Sequence, residues 1–324
     1  MKRGLHLAIG IFSALLLAGF AGHALAQKFP AKPIRIIMPF PPGGPTDSYA
    51  RMVAHGLAQN LGQQVLVDNR TGASGIIGSE IVAKSPPDGY TLLFTATHHT
   101  INPSLYKSLP YDTERDFTPL TLVATNPNVL AASPSFPANT IAELIALARA
   151  KPGQLNYAST SIGGGNHLSA ELMKSMAGID IVHIPYKGQP QAMNDLLGGQ
   201  VSLMFTSVGL TVPHMKSGKL KALAVTGAKR VANLPDVPTI GETIPGYEAN
   251  SWFGMWGPAR MAKELVAQLN GEIVRVLRSP EVTKRFAALD AEVGGSTPEQ
   301  FAAFQKSELL KWAKLVKALG LKLD

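Results

Sequence analysis

Short runs of apolar and β-branched residues alternate along most of the chain with stretches in which apolar residues recur at helical spacing. The runs predict strands at 34–38, 65–69, 90–95, 155–159, 180–184, 201–205 and 220–226. The periodic stretches predict helices at 47–61, 79–84, 165–177 and 191–197, and from residue 258 onward a purely helical pattern at 262–277, 280–289 and 298–319. This strand–helix alternation predicts an α/β fold in which helices cover mixed or parallel sheets.

Two of the predicted strands end in glycine-rich loops that lead into helices. Gly43 and Gly44 follow the first strand, and Gly163 and Gly164 follow the strand at 155–159. Glycine allows close approach of the backbone to a ligand, and the first N–H groups of a helix are unpaired and attract anions. No nucleophile, base or set of metal ligands accompanies the first loop. The pattern predicts two helix N-termini that hold a carboxylate without reacting with it.

Small polar residues accompany both loops. Thr46 or Asp47 stands at the expected N-cap of the first helix, and Asp47 either caps that helix or recognises a ligand amine or hydroxyl. The hydroxyls of Ser159, Thr160 and Ser161 can bond a carboxylate, or they can satisfy the backbone of their own loop.

A third candidate site follows the strand at 180–184. Tyr186 offers a hydroxyl there and Lys187 a positive charge, beyond the end of a strand where ligands bind in open α/β sheets. A Pro/Gly turn with a solvated lysine explains the same residues equally well.

The length of 324 residues suggests two domains, and the composition is that of a globular protein, with 45% hydrophobic residues and 31 glycines. The net charge is +8, but the basic residues are dispersed, which disfavours nucleic-acid binding. A mild positive field suits a small anionic ligand, although solubility explains it equally well. The chain has no cysteine, which excludes disulfides and thiolate chemistry.

The N-terminus has the pattern of a secretory signal. Lys2 and Arg3 precede an apolar stretch at 7–20, which is shorter than a membrane-spanning helix, and Ala24 and Ala26 form a small-x-small cleavage site. We expect residues 1–26 to be removed and the mature chain to begin at Gln27, as a soluble protein of the periplasm.

Other chemistries fit the sequence poorly. The 71–78 segment nearly matches a dinucleotide loop, but no tyrosine has a lysine four residues later, and the segment is not a G-x-S-x-G nucleophile elbow. His98 and His99 are adjacent, so on a strand they would point to opposite faces, and His167 and His183 are isolated in sequence. We therefore predict no cofactor, no metal site and no catalytic residue.

These segments together resemble the substrate-binding receptors of tripartite tricarboxylate transporters, the Bug family of periplasmic solute receptors. The resemblance covers essentially the whole mature chain, in order. It is carried by residues 32–44 (KPIRIIMPFPPGG), 87–92 (PDGYTL), 101–106 (INPSLY), 183–188 (HIPYKG), 196–200 (LLGGQ) and 234–239 (LPDVPT).

The resemblance implies a two-lobed periplasmic binding protein of the type II arrangement, which closes over a small carboxylate and presents it to membrane transporter subunits. It implies ligand contacts from the two glycine loops and neighbouring strand ends, namely Phe40, Gly43, Gly44, Thr46, Asp47, Thr97, Ser159, Gly163, Gly164, Tyr186 and Lys187, to which we add Ser161 and Thr206 as candidate ligand contacts. Many relatives have an aspartate where this chain has Thr206 and Ser207, so the resemblance does not imply recognition of a ligand amine or hydroxyl at this position.

The expected division places residues 28–123 and 225–324 in lobe one and 124–224 in lobe two, with hinge crossings near Val123 and Val225. The alternative function is an exported enzyme that acts on a carboxylate, with Lys187 or a histidine as its base.

Overall fold

The computed structural model describes residues 29–159, 162–186 and 189–323. Its strands are, in chain order, β1 (Ile34–Met38), β2 (Val65–Asn69), β3 (Thr91–Ala96), β4 (Phe117–Asn126), β5 (Asn128–Ala132), β6 (Asn156–Ser159), β7 (Val182–Pro185), β8 (Leu203–Ser207), β9 (Lys221–Val225), β10 (Ser251–Pro258) and β11 (Glu292–Val293). Its α-helices are α1 (Pro45–Leu61), α2 (Ile76–Ala83), α3 (His98–Leu105), α4 (Ile141–Ala150), α5 (Gly165–Ala177), α6 (Gln189–Leu197), α7 (Val208–Lys216), α8 (Lys263–Leu277), α9 (Pro280–Ala288) and α10 (Pro298–Leu319).

The strands form two mixed sheets. The first has the order β11-β4-β10-β3-β1-β2, and the second the order β7-β6-β8-β5-β9. In the first sheet β1 pairs in parallel with β2 and β3, while β10 runs antiparallel between β3 and β4. In the second sheet β6 pairs in parallel with β7 and β8, while β5 is antiparallel to β8 and β9. The predicted α/β class with helix-flanked sheets is confirmed.

Parallel pairing brings the carboxyl ends of neighbouring strands to the same edge of each sheet. Met38 pairs with Asn69, so the loops after β1 and β2 start side by side. Ser159 pairs with Pro185 at the ends of β6 and β7, and β8 lies along the other side of β6. The glycine loops therefore begin at the edge of an α/β sheet where ligands are commonly held.

Both sheets are packed against buried apolar side chains, and α10 contacts both cores. Phe301, near the start of this helix, packs with residues of the first sheet, whereas Trp312 and Leu315 pack with residues of the second. The apolar residues at helical spacing in the last predicted helix thus pack in the cores. None of the described helices is both long and apolar enough to cross a membrane.

Several sequence-based expectations were wrong or incomplete. The region after residue 258 is not purely helical, because Glu292–Val293 pairs with β4 as a short strand. His98 and His99 start α3 and do not lie on a strand. We did not predict the strands β4, β5 and β10 or the helices α3, α4 and α7, although the apolar residues of α4 recur at helical spacing.

Candidate functional site

The first glycine loop leads into α1 with its N-cap at Gly44, so the predicted N-cap at Thr46 or Asp47 is wrong. Pro45 occupies the first helical position, where its fixed φ suits the helix and its missing N–H is no loss. Gly43 has a φ of 87°, a left-handed conformation that favours glycine. No side chain caps the helix at Gly44.

Asp47 closes this loop from inside the helix. Its Oδ2 accepts the Gly43 N–H at 3.0 Å and the Arg51 Nε–H at 2.8 Å, and its Oδ1 accepts the Asn69 side-chain amide at 3.0 Å. Burial raises the pKa of Asp47, but the hydrogen bonds from Arg51, Gly43 and Asn69 outweigh it, and the pKa is lowered overall. The ionised carboxylate is thus engaged by the protein itself.

Asn69 ties the loop to the end of β2. Its amide also donates to the Phe40 carbonyl at 3.0 Å, and its Oδ1 accepts from Arg51 at 3.0 Å. The Phe40 ring lies with its centroid 5.4 Å from that of His98, which starts α3. This network joins the ends of β1, β2 and β3.

Thr97, His98 and His99 lie at the junction between β3 and α3. Thr97 is buried, and its Oγ1 accepts the Trp252 N–H at 3.2 Å. His99 packs its ring against Trp256 and Phe117, and burial lowers its pKa to about 3, so it is a neutral core residue. Burial also lowers the pKa of His98.

The second glycine loop leads into α5 with its N-cap at Gly164, which no side chain caps. Gly163 has a φ of 73°, and its N–H donates to Nδ1 of His167 at 2.9 Å. Gly163, Gly164 and His167 are all buried.

Two histidine rings stack behind this loop. The centroids of His167 and His183 lie 4.0 Å apart with 28° between the ring planes, and Tyr157 stacks on His183 at 5.0 Å. Nε2 of His183 lies 2.6 Å from Oγ of Ser159, which is fully buried. The stack therefore connects the helix of the second loop to the ends of β6 and β7.

Tyr186 and Thr206 lie at neighbouring strand ends of the second sheet. Tyr186 donates its N–H to the Ser159 carbonyl at 2.8 Å and its hydroxyl to Asp195 at 2.6 Å. Thr206 is fully buried, and its Oγ1 accepts from the Gln189 amide at 2.7 Å. Ser161 and Lys187, also predicted as ligand contacts, lie outside the described residues.

α3 connects the two groups of predicted residues. His98, at its start, contacts Phe40 of the first loop, whereas Leu105, at its end, packs so closely on Gly163 that a Cβ there would lie 2.4 Å from Leu105 Cδ1. Seven helical rises of 1.5 Å place these two contacts about 10 Å apart along the helix. The structure thus brings Phe40, Gly43, Gly44, Thr46, Asp47 and Thr97 to one end of α3, and the second loop to the other.

Sequence reasoning missed Arg51 and Asn69 and gave no particular role to His167 and His183. One signal was present: Asp47 and His167 each stand four residues after the first glycine of a Gly-Gly pair. Such spacing places a side-chain acceptor in the first helical turn, beneath the N–H of that glycine.

A separate cavity of about 630 Å³ lies beside the two crossings between the sheets, away from the glycine loops. Pro127, Gly227, Asn250 and Asp290 are among the residues that line it. Among the residues that the structure describes, no group of three or more His, Asp or Glu side chains is placed to hold a metal ion.

The sequence profile of the tripartite tricarboxylate transporter family receptor, TctC, matches residues 49–321. This chain belongs to that receptor family. Protein BugT of Bordetella pertussis is 39% identical over 318 residues, with 97% of each chain covered. The resemblance inferred from the sequence is thereby confirmed.

Solved structures of similar proteins include R. palustris Rpa4515 with adipate, at 36% identity and a TM-score of 0.78, with 91% of this chain and 100% of that chain covered. MatC from Rhodopseudomonas palustris with bound malate is 31% identical, with a TM-score of 0.75 and 89% and 100% covered. The periplasmic binding protein BugD is 38% identical, with a TM-score of 0.75 and 91% and 100% covered. The chain is a TctC-type solute receptor with the fold of a periplasmic binding protein.

Proposed function

We propose that this receptor binds a small carboxylate between the two glycine loops and delivers it to a tripartite tricarboxylate-type membrane transporter. The observation that carries the proposal is the pair of helices, α1 and α5, whose N-termini have glycine N-caps without a capping side chain and follow strand ends. Such N-termini favour a carboxylate oxygen through their free N–H groups and the helix dipole. Two relatives that share this fold hold the dicarboxylates adipate and malate.

In this proposal the chain forms two lobes that close on the ligand. Lobe one contains the first sheet, and lobe two the second. The chain therefore passes from lobe one to lobe two at Pro127, between β4 and β5. The apolar residues at 231–249 pack in the cores of the second sheet, so we assign this segment to lobe two. The chain then returns to lobe one near Asn250. Asn233 in that segment hydrogen-bonds Asp290, a contact between the two proposed lobes.

We propose binding without turnover. The geometry nearest to a catalytic pair is Ser159 with His183, but the fully buried Ser159 has no open side from which its Oγ can attack a substrate. His167 uses its Nδ1 for Gly163, so that nitrogen is not available as a base. The family itself consists of receptors.

A thermal-shift screen of small mono-, di- and tricarboxylates tests the proposal, with adipate and malate as first probes and adipamide as the uncharged control. Ligand at about 100 times its dissociation constant stabilises a protein by roughly 2.7 kcal/mol. We expect at least one acid to raise the melting temperature, to bind with one-to-one stoichiometry in calorimetry and to be recovered unchanged. Consumption of the acid would favour the enzyme alternative, and equal binding of adipamide would contradict a carboxylate site.

We also propose that the protein acts in the periplasm after cleavage of the signal between Ala26 and Gln27. The signal lies outside the described residues, and the support is its sequence pattern together with periplasmic binding proteins among the structural neighbours. N-terminal sequencing of protein released by osmotic shock should begin at Gln27. An intact Met1 in the membrane pellet would contradict this.

A further inference from the structure

The two glycine loops share one hydrogen bond at the same position. In each, the first glycine has positive φ and donates its N–H to the side chain four residues later, from Gly43 to Asp47 and from Gly163 to His167. The second glycine is the N-cap in both cases, so the accepting side chain lies in the first helical turn. The acceptor fixes the loop conformation that leaves the helix N-terminus uncapped.

The hydrogen bond defines the state of His167. Because Nδ1 accepts from Gly163, it carries no proton, and a neutral ring then has its proton on Nε2. A proton on Nδ1 would face the Gly163 N–H with a second donor. The loop therefore needs His167 neutral and in one tautomer.

The surroundings of His167 hold its ring in place. It stacks on His183, which is anchored through Ser159, and the Tyr157 ring stacks on both His183 and His167. From its own helix it faces Glu171 and Lys174. Glu171 accepts from the Tyr157 hydroxyl at 2.6 Å and from Lys174 Nζ at 2.7 Å, so its charge is already paired.

We propose that His167 is a positioning residue of the receptor, whose neutral Nδ1 holds the Gly163–Gly164 loop in the conformation that presents the N-terminus of α5 to the ligand. This inference rests on the proposed function, because it assumes that the ligand contacts this loop. His183 supports the loop indirectly, because its stacking fixes the orientation of the His167 ring.

Burial and, after it, the nearby His183 lower the pKa of His167 to about 4, which Glu171 opposes and Lys174 reinforces. At neutral pH the ring is therefore in the accepting form. As the pH falls toward 4, protonation removes the acceptor and frees the loop. Ligand affinity should fall with it, separately from any protonation of the ligand.

Three variants test the inference. In His167→Asn the amide Oδ1 can take the place of Nδ1 without titrating, whereas His167→Leu fills similar space with no acceptor. His55→Asn, at an exposed position of α1, is the matched control. Calorimetry measures the dissociation constants of adipate and malate from pH 7.5 to 4.

At pH 7.5 we expect His167→Leu to weaken binding roughly tenfold, because a buried N–H loses its partner. We expect His167→Asn and His55→Asn to bind close to the wild type. Toward pH 4 the wild type should lose about twofold in affinity relative to His167→Asn, because half of the His167 rings are then protonated. Ligand protonation is common to both proteins and cancels in this ratio.

Two measurements need no ligand. The ¹⁵N spectrum of the wild type should show an unprotonated Nδ1 at His167, and the Gly163 amide should exchange slowly in the wild type and in His167→Asn but fast in His167→Leu. A proton on Nδ1, or equal exchange and equal affinity in His167→Leu, would overturn the inference. If the wild type binds no carboxylate at all, the proposed function fails, while the tautomer and the exchange rates still decide whether His167 holds the loop.

Discussion

The two glycine loops have the same backbone plan but different electrostatics. In the first, the acceptor is the ionised Asp47, whose negative charge stands in the first turn of α1 and is offset by Arg51. In the second, the acceptor is a neutral imidazole, and the first turn of α5 has no acidic residue. An anion at α5 therefore meets the helix dipole without an opposing carboxylate. If the proposed function is right, the second loop should therefore attract a ligand carboxylate more strongly than the first.

The packing of the two loops differs as well. A Cβ on Gly43 would meet no atom within 4 Å, whereas a Cβ on Gly163 would lie 2.4 Å from Leu105. The first loop is open and held by polar contacts, and the second is also held by apolar packing on α3. Replacing the glycine by a residue with a side chain should therefore disturb the second loop more than the first.

The largest expected effect comes from Gly163→Val. It combines positive-φ strain of about 1–2 kcal/mol with overpacking against Leu105 of about 1–3 kcal/mol, so the free energy of unfolding should fall by about 4 kcal/mol. The matched Gly43→Val has only the strain, with an expected loss of about 2 kcal/mol. Urea unfolding measures both. Equal losses would show that the contact with Leu105 relaxes without effect.

The second largest expected effect is the loss of stability at low pH, which should differ between the two loops. The pKa of His167 is about 4 in the folded protein against 6.5 unperturbed, so the unfolded chain binds more protons between these values. The stabilisation is complete above pH 6.5 and is lost as the pH falls toward 4, by about 3 kcal/mol in all. Asp47 has a lowered pKa, so its contribution is present above 3.8 and disappears only below that value.

Stability measured by urea unfolding at intervals from pH 7 to 4 checks this, with His167→Asn as the control because it lacks the titrating ring. We expect the wild type to lose more stability over this range than His167→Asn. Parallel curves would contradict the low pKa of His167. In amide exchange, Gly163 should lose protection at a higher pH than Gly43.

The sequence predicted the strand ends and both glycine loops because these depend on local signals, namely β-branched runs, Gly-Gly pairs and a helical period. It did not predict what holds the loops. Asn69 hydrogen-bonds the Phe40 carbonyl, 29 positions earlier in the chain, and His183 of β7 stacks on His167 of α5. Such contacts depend on sheet pairing that no local pattern specifies. The N-cap was misplaced because Pro45 begins the helix before the polar residues that usually precede one.

A smaller effect is expected for Asn69→Leu, which affects only the first loop. The change removes hydrogen bonds to Phe40, Asp47 and Arg51, two of them to charged groups, and should lower the free energy of unfolding by about 2 kcal/mol. Asn60→Leu, at an exposed position of α1, should change it by less than about 0.5 kcal/mol. Faster amide exchange at Gly163 in the Asn69 variant would show that the loops are not held independently.

The smallest expected effect on stability, and the sharpest test of the electrostatic difference, comes from Arg51→Gln. The Arg51 side chain is 51% exposed, so its ion pair with Asp47 should contribute at most about 1 kcal/mol to stability, and less at high salt. Its removal leaves the Asp47 charge uncompensated beside the first loop, which should weaken the binding of a dicarboxylate such as adipate several-fold at low salt.

The matched change beside the second loop is Lys174→Gln, which removes the cation paired with Glu171. It should alter affinity less than Arg51→Gln, because Glu171 lies in the second turn of α5 and also accepts the Tyr157 hydroxyl. Calorimetric titration of both variants at low and high salt measures the difference. If Arg51→Gln binds adipate as the wild type does at both salt concentrations, the charge of Asp47 has no influence on the ligand, and the two loops would differ in packing alone.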